Sequence, residues 1–155
     1  MNDPRVRRAF DAAVDKQALA QLKRSAKVLT GFVPDGIFPG YPTAHGSSFN
    51  LTRARTLLAE AGYRNASGQF DPSRFPSDQV EVLYNTNESN RMVAEFLQAQ
   101  WRQNLGITIS LRNMEFRTFV PVRNRREYRG IARAGWVGDY MDPMTFLDLF
   151  STPDG

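Results

Sequence analysis

The sequence contains no cysteine and only one histidine, His45. Without cysteine the chain can form neither a disulfide nor a thiolate nucleophile, and no cysteine-based metal cluster. His45 lies in the segment 31–48, where proline and glycine recur too often for regular structure, so a surface position is favoured over metal or base chemistry. The Gly-x-Ser-x-Gly pattern of a nucleophile elbow is also missing. We therefore predict a protein that is not an enzyme and that uses no metal or other cofactor.

Long hydrophobic runs are missing as well. No stretch approaches the roughly 20 consecutive apolar residues that a membrane-spanning helix needs. The first five residues also lack the apolar run of a secretory signal. Any export signal is therefore expected upstream of Met1.

The net charge of +4 raises the question of nucleic-acid binding, since arginine supplies most of the basic residues. The basic excess is small and dispersed along the chain. Two predicted helices carry seven of the arginines, at positions 5, 7 and 8 and at 123, 125, 126 and 129, and no RNP, zinc-finger or helix-turn-helix signature accompanies them. We interpret them as solvated helix faces and predict no nucleic-acid partner.

The 155 residues can bury one hydrophobic core, which predicts a single domain. A capping residue before Pro4 and apolar residues at helical spacing predict a first helix over about 4–20. Asn50 caps a second predicted helix, which Gly62 ends at the C′ position. Loops are predicted at 31–48 and 64–78.

From residue 80 onward the pattern alternates between strand and helix. Segments rich in β-branched and aromatic residues separate two stretches with helical spacing, and Pro121 is expected to kink the second stretch. Because successive strands joined by crossover helices lie parallel, this order predicts an α/β fold with three parallel strands under helices. The strands are expected at 80–84, 107–111 and 131–134, and the helices at 89–104 and 115–126.

The segment 133–140 begins at the carboxyl end of the last predicted strand, where open α/β sheets bind their ligands. Asp139 offers a carboxylate, Trp136 a flat apolar wall, and Gly135 and Gly138 allow another backbone to approach closely. An extended peptide with a free amino terminus fits these groups. Its ammonium can pair with Asp139, and its backbone can pair with exposed main-chain groups.

Five sequence blocks occur in order along the chain. They are PRVRRAF at 4–10, ARTLLAEAGY at 54–63, LYNT at 83–86, WRQNLGI at 101–107 and ARAGWVGDY at 132–140. Together they resemble the C-terminal large lobe of the oligopeptide- and dipeptide-binding proteins of ABC importers, and the resemblance extends over the whole chain.

The resemblance implies a periplasmic-binding-protein-like (type II) lobe with a parallel-rich sheet flanked by helices. It implies that residues 1–155 are a single α/β lobe of a two-lobed solute-binding protein, without the N-terminal lobe and the C-terminal end. The complete protein would be a monomer in the periplasm or another extracytoplasmic space. There it would present an oligopeptide or dipeptide to an ABC permease in the membrane, with which it associates.

The resemblance also implies roles for individual residues. Asp139 matches the aspartate that binds the peptide ammonium, and Trp136 with the Val137 backbone lines the first subsites. Arg133 matches an arginine that meets a peptide carboxylate directly or through water, and Asn85 matches a residue lining a side-chain pocket. The expected ligand-binding residues are Asn85, Arg133, Trp136, Val137, Asp139 and Tyr140.

Each assignment has an alternative in the sequence itself. Asp139 alone could be a turn residue, Trp136 a core aromatic, and Asn85 the polar end of a strand. Arg133 could pair with a neighbouring carboxylate. A glycosidase-type pair of carboxylates, formed by Asp139 and Asp142, is a further alternative.

The ligand itself stays open within the family. Phe116 stands where a tryptophan is common, Asn90 where some oligopeptide binders have a histidine, and one residue is inserted near Arg129. These departures leave the preferred peptide length undecided. A non-peptide ligand, such as a sugar or a nickel complex, is the alternative to a peptide.

Overall fold

The structure, a computed structural model, describes residues 1–24, 26–29, 31–42 and 46–151. The prediction made for His45 therefore lies outside the described residues.

Within these residues three parallel strands form one sheet with β1 in the centre, in the order β2-β1-β3. Their bounds are Glu81–Asn85 for β1, Ser110–Met114 for β2 and Gly130–Ala132 for β3. The predicted α/β fold with a parallel sheet is confirmed. Strand β2 begins later than predicted because the Ile107 N–H is bonded to the Trp101 carbonyl at a helix end rather than to β1.

The predicted first helix is two helices, α1 at Pro4–Ala12 and α2 at Lys16–Lys23. The break has two causes. The Ala12 carbonyl accepts from the Asn50 N–H over 2.8 Å instead of continuing the helix. The Asp15 side chain then accepts from two N–H groups that follow it and starts α2.

Four further α-helices follow in the described chain. Helix α3 is capped by Asn50, and Gly62 lies just after its end with φ of +103°, as predicted. Pro121 lies inside α5. The bounds are Leu51–Glu60 for α3, Glu88–Leu105 for α4, Phe116–Asn124 for α5 and Met144–Leu147 for α6.

One hydrophobic core joins the helices to the sheet. Phe10 of α1 packs against Trp101 of α4, with ring centroids 5.1 Å apart, and against Phe75 at 5.4 Å. The Trp101 indole N–H donates to the Phe10 carbonyl over 2.9 Å, so the buried nitrogen is satisfied. None of the helices in the described chain combines the length and the apolar character needed to cross a membrane.

A buried carboxylate links the three strands at the amino-terminal end of the sheet. Glu81 of β1 is 3% exposed. Its side chain lies 3.2 Å from an Arg112 guanidinium nitrogen on β2 and 3.4 Å from one of Arg129, which precedes β3. Glu81 also accepts from the Arg129 N–H over 3.1 Å. The network therefore ties the three strands together at the amino-terminal end of the sheet.

Candidate functional site

Asn85 and Arg133 lie at the carboxyl edge of the sheet. Asn85 is the last residue of β1, and Arg133 follows β3 directly. The Arg133 N–H donates to the Leu83 carbonyl over 2.8 Å, which extends the pairing of the two strands. Because neighbouring parallel strands end together, both residues lie at the edge where such sheets bind ligands.

Asn85 is oriented by a neighbour on the next helix. The Asn90 amide nitrogen donates to the Asn85 side-chain oxygen over 3.0 Å and to its carbonyl over 3.2 Å. Among the described residues, nothing accepts from the Asn85 amide nitrogen. Asn85 is therefore a strand-end residue whose amide donor remains available.

The turn between β3 and α6 is held by Thr145. The Trp136 indole N–H donates to the Thr145 carbonyl over 2.7 Å, and the Asp139 N–H donates to the Thr145 hydroxyl over 2.8 Å. Thr145 is 3% exposed. One buried residue thus fixes both the tryptophan ring and the backbone of the aspartate.

Gly138 lies in the same closely packed region. A β-carbon at this position would lie 3.1 Å from the Thr145 methyl group and 3.3 Å from the Phe146 ring. The glycine lets the turn lie directly on α6. The sequence analysis explained Gly138 by the close approach of another backbone, and the close approach that the structure shows is to the side chains of Thr145 and Phe146.

Asp139 and Asp142 differ in what their carboxylates do. Asp142 accepts from the Met144 N–H over 2.8 Å at the start of α6, which is the local bond typical of a turn aspartate. Asp139 is exposed, and no described residue donates to its carboxylate or forms an ion pair with it. The arrangement gives Asp142 the turn role and leaves the Asp139 carboxylate free for an external cation.

Arg133 is likewise exposed and has no carboxylate partner in the described part of the chain. The alternative of a neighbouring ion pair is therefore not realised there. The segment presents one free anion and one free cation, which suits a ligand that carries both charges.

Tyr140 is bonded to a carboxylate of the following helical turn. Its hydroxyl donates to Asp148 over 3.0 Å. This hydrogen bond raises the pKa of the Tyr140 phenol, and partial desolvation and the negative charges of Asp148, Asp142 and Asp139 raise it further. The phenol therefore stays neutral and keeps its proton on the bond to Asp148.

Apolar surface surrounds these polar groups. Trp136 is 48% exposed, Val137 84% and Met141 80%. Trp136 is thus not a core aromatic, although its indole nitrogen is anchored. Contiguous exposed apolar side chains beside unpaired charges are typical of a ligand-binding or interaction surface.

The loop at 31–42 packs on the same region through two pairs of aromatic rings. Phe38 lies against Phe146 with centroids 6.2 Å apart, and Phe32 against Phe150 at 4.3 Å. A cavity of about 280 Å³ lies between this loop and the turn that carries Asp139. Sequence reasoning missed Thr145, Phe38 and Phe146, because nothing in the local pattern shows that distant segments meet.

Two larger grooves, of about 540 and 520 Å³, lie elsewhere, and none of the six predicted residues lines either of them. The first borders α3, and the second borders β3 and α1. In the described ranges, no three histidine, cysteine or acidic side chains are grouped so that they could hold a metal ion. The convergence of unpaired charge and apolar surface at 133–148 is therefore the strongest candidate site.

Comparison with known proteins gives one family. The model for the middle region of family 5 of the bacterial extracellular solute-binding proteins matches residues 1–155. The periplasmic murein peptide-binding protein MppA of Escherichia coli is 33% identical, over 97% of this chain and 27% of its own length. The probable deoxycholate-binding periplasmic protein YgiS of the same organism is 32% identical, over 97% of this chain and 28% of its own length.

Solved structures agree in fold. A periplasmic oligopeptide-binding protein of an ABC transporter from Borrelia burgdorferi is 35% identical and superposes with a TM-score of 0.79. The match covers 99% of this chain and 29% of that chain. The present chain thus spans less than a third of the length of these relatives.

Proposed function

Because the chain belongs to family 5 of the bacterial extracellular solute-binding proteins, we propose that it forms part of the peptide-binding component of an ABC importer. The observation that carries the proposal is the free carboxylate of Asp139. It is anchored through its backbone beside an apolar wall at the carboxyl edge of a parallel sheet. A peptide ammonium supplies the missing charge, and the apolar wall excludes water from the pair.

The other five residues complete the proposed site. Trp136, with the Val137 backbone, lines the path of the first peptide residues, and the neutral Tyr140 ring adds apolar surface next to Asp139. Arg133 meets a peptide carboxylate, directly or through water. Asn85 uses its free amide donor in a side-chain pocket.

We propose that residues 1–155 are one lobe of a two-lobed protein that closes on its ligand. The length of the relatives supports this, since the chain matches only 27% of MppA. Strand β3 supports it too. Within the described residues β3 pairs with β1 alone, so its other edge is unpaired there, and all three of its residues line the groove of about 520 Å³. A sheet edge beside an apolar groove is suited to packing against further parts of the protein.

The role proposed for the complete protein is binding and delivery, not catalysis. It would act as a monomer in the periplasm or another extracytoplasmic space and pass its peptide to a permease in the membrane. The periplasmic names of the relatives support the compartment. Asp139 and Asp142 do not form a glycosidase pair in this scheme, because Asp142 is engaged with the Met144 N–H.

A non-peptide ligand is the second candidate, and one relative favours it, since its name refers to deoxycholate. Deoxycholate carries a carboxylate and no ammonium. It could use Arg133 and the apolar wall but would leave Asp139 without a counter-ion. The Asp139 carboxylate therefore favours a ligand with a cationic end.

Calorimetry on the complete protein separates these ligands. We expect trialanine to bind. N-acetyl-trialanine has no ammonium and should bind at least about a hundredfold more weakly, because one buried ion pair is lost. Deoxycholate is expected not to bind. Equal affinity for the free and acetylated peptides, or binding of deoxycholate alone, would refute the proposal.

A further inference from the structure

The exposed methionines of the chain lie beside the candidate site. Met141 is 80% exposed and lies on the turn that carries Asp139, and Met144 is 43% exposed and begins α6 directly after that turn. The chain has five methionines. The remaining three are partly buried, and they are Met1, Met92 and Met114. The thioether most accessible to a dissolved reagent is therefore that of Met141.

An exposed thioether reacts with a peroxide. Its sulfur attacks one oxygen of hydrogen peroxide, the S–O bond forms as the O–O bond breaks, and the second oxygen leaves as water with both protons. The sulfur loses two electrons to the peroxide, and the thioether becomes a sulfoxide. Residues 1–155 contain no cysteine, so no thiol of this segment competes for the oxidant.

The position of Met141 makes this change matter for binding. Met141 and Asp139 line the same cavity, so the thioether belongs to the apolar surface beside the carboxylate. A sulfoxide oxygen is a hydrogen-bond acceptor, whereas the thioether is apolar. Among the side chains that line this cavity in the described chain, only Tyr140 has a donor, and it already donates to Asp148. A sulfoxide covered by a ligand would therefore lose its water without gaining a side-chain partner.

We propose that Met141 is an oxidation site at which conversion to the sulfoxide reversibly lowers the affinity for peptide. The inference rests on the proposed function, because it requires a ligand that covers the turn. A methionine sulfoxide reductase restores the thioether and with it the affinity. Peptide binding by the complete protein thus responds to peroxide.

Hydrogen peroxide treatment of the complete protein tests the inference. Mass spectrometry of proteolytic fragments is expected to show one added oxygen at Met141 before Met92 or Met114 is oxidised. Calorimetry with trialanine should then show an affinity about tenfold lower than before treatment, as expected for one buried acceptor without a partner. Methionine sulfoxide reductase should reverse both the added mass and the loss of affinity.

Met141→Leu and Met92→Leu are the variant and its matched control. Both replace a methionine by an apolar side chain of similar volume, and each variant is compared with itself before and after peroxide. Met141→Leu is expected to lose no affinity on treatment, and Met92→Leu to lose as much as the wild type. Met141→Gln carries a polar group permanently and is expected to bind trialanine about tenfold more weakly than the wild type without any peroxide.

Failure of this inference differs from failure of the proposed function. The inference is overturned if full oxidation of Met141 leaves the affinity unchanged, if Met141→Gln binds normally, or if Met144→Leu protects the affinity and Met141→Leu does not. In each of these cases the peptide site itself stands. If the untreated protein binds trialanine and N-acetyl-trialanine equally, the proposed function fails.

Discussion

Replacing Asp139 by alanine in the complete protein should separate binding from folding. The carboxylate is exposed and makes no bond to a described residue, so its loss should change the free energy of unfolding by no more than about 0.5 kcal/mol. In the proposed closed complex, the same loss would leave the peptide ammonium buried and unpaired. That costs about 3–5 kcal/mol, which is roughly two to four decades in affinity for a free tripeptide. Calorimetry measures the affinity, and urea unfolding measures the stability.

Asp142→Asn is the matched control. It removes a negative charge three positions away and keeps an oxygen that can accept from the Met144 N–H. If Asp139 acts through a specific ion pair, this variant should bind peptide within about threefold of the wild type, as expected for an exposed charge. Normal binding by Asp139→Ala, or an equal loss in both variants, would show that Asp139 is not the ammonium ligand.

Three further predictions follow from the anchoring contacts, from the Glu81 network and from the proposal that the chain is one of two lobes. Thr145→Val removes the acceptor of the Asp139 N–H while keeping the side-chain shape, and calorimetry should show peptide affinity about tenfold lower, whereas Thr145→Ser should bind normally. Glu81→Gln leaves two guanidinium groups without their carboxylate and should lower the free energy of unfolding, measured in urea, by about 2 kcal/mol. The loss is smaller than for a fully buried pair because both arginines are partly exposed, and an unchanged stability would contradict the role of the network. Residues 1–155 alone should bind peptides no more tightly than about millimolar by calorimetry, because an exposed ion pair contributes only ~0–1 kcal/mol; submicromolar binding would contradict the two-lobe proposal.

Periodic patterns and caps predicted the architecture well. Alternation of strand and helix after residue 80 predicted three parallel strands, and the five blocks predicted the family; both are confirmed. Helix α3 was predicted within a residue or two because Asn50 and Gly62 act through local backbone geometry. Helix ends that depend on neighbouring residues can be predicted from the sequence around them.

Tertiary contacts account for what the sequence did not predict. The break between α1 and α2 depends on a bond from the Asn50 N–H to the Ala12 carbonyl, and the apolar spacing continues across it. The role of Thr145 depends on a fold that brings α6 back onto the turn. The cavity depends on Phe38 meeting Phe146, which are far apart in the chain. The six site residues named from the sequence remain predictions. The structure shows that two of them lie at the carboxyl edge of the sheet and that the other four lie on one turn.

The anchoring of Trp136 by Thr145 makes this residue a built-in optical probe. The chain has two tryptophans. Trp101 is 4% exposed, whereas Trp136 is 48% exposed and is fixed to the residue that also holds the Asp139 backbone. A ligand that covers the turn must change the solvent around Trp136 while Trp101 emits from an unchanged core. Tryptophan emission can therefore follow occupancy of the proposed site without a dye, with the buried indole as the internal reference.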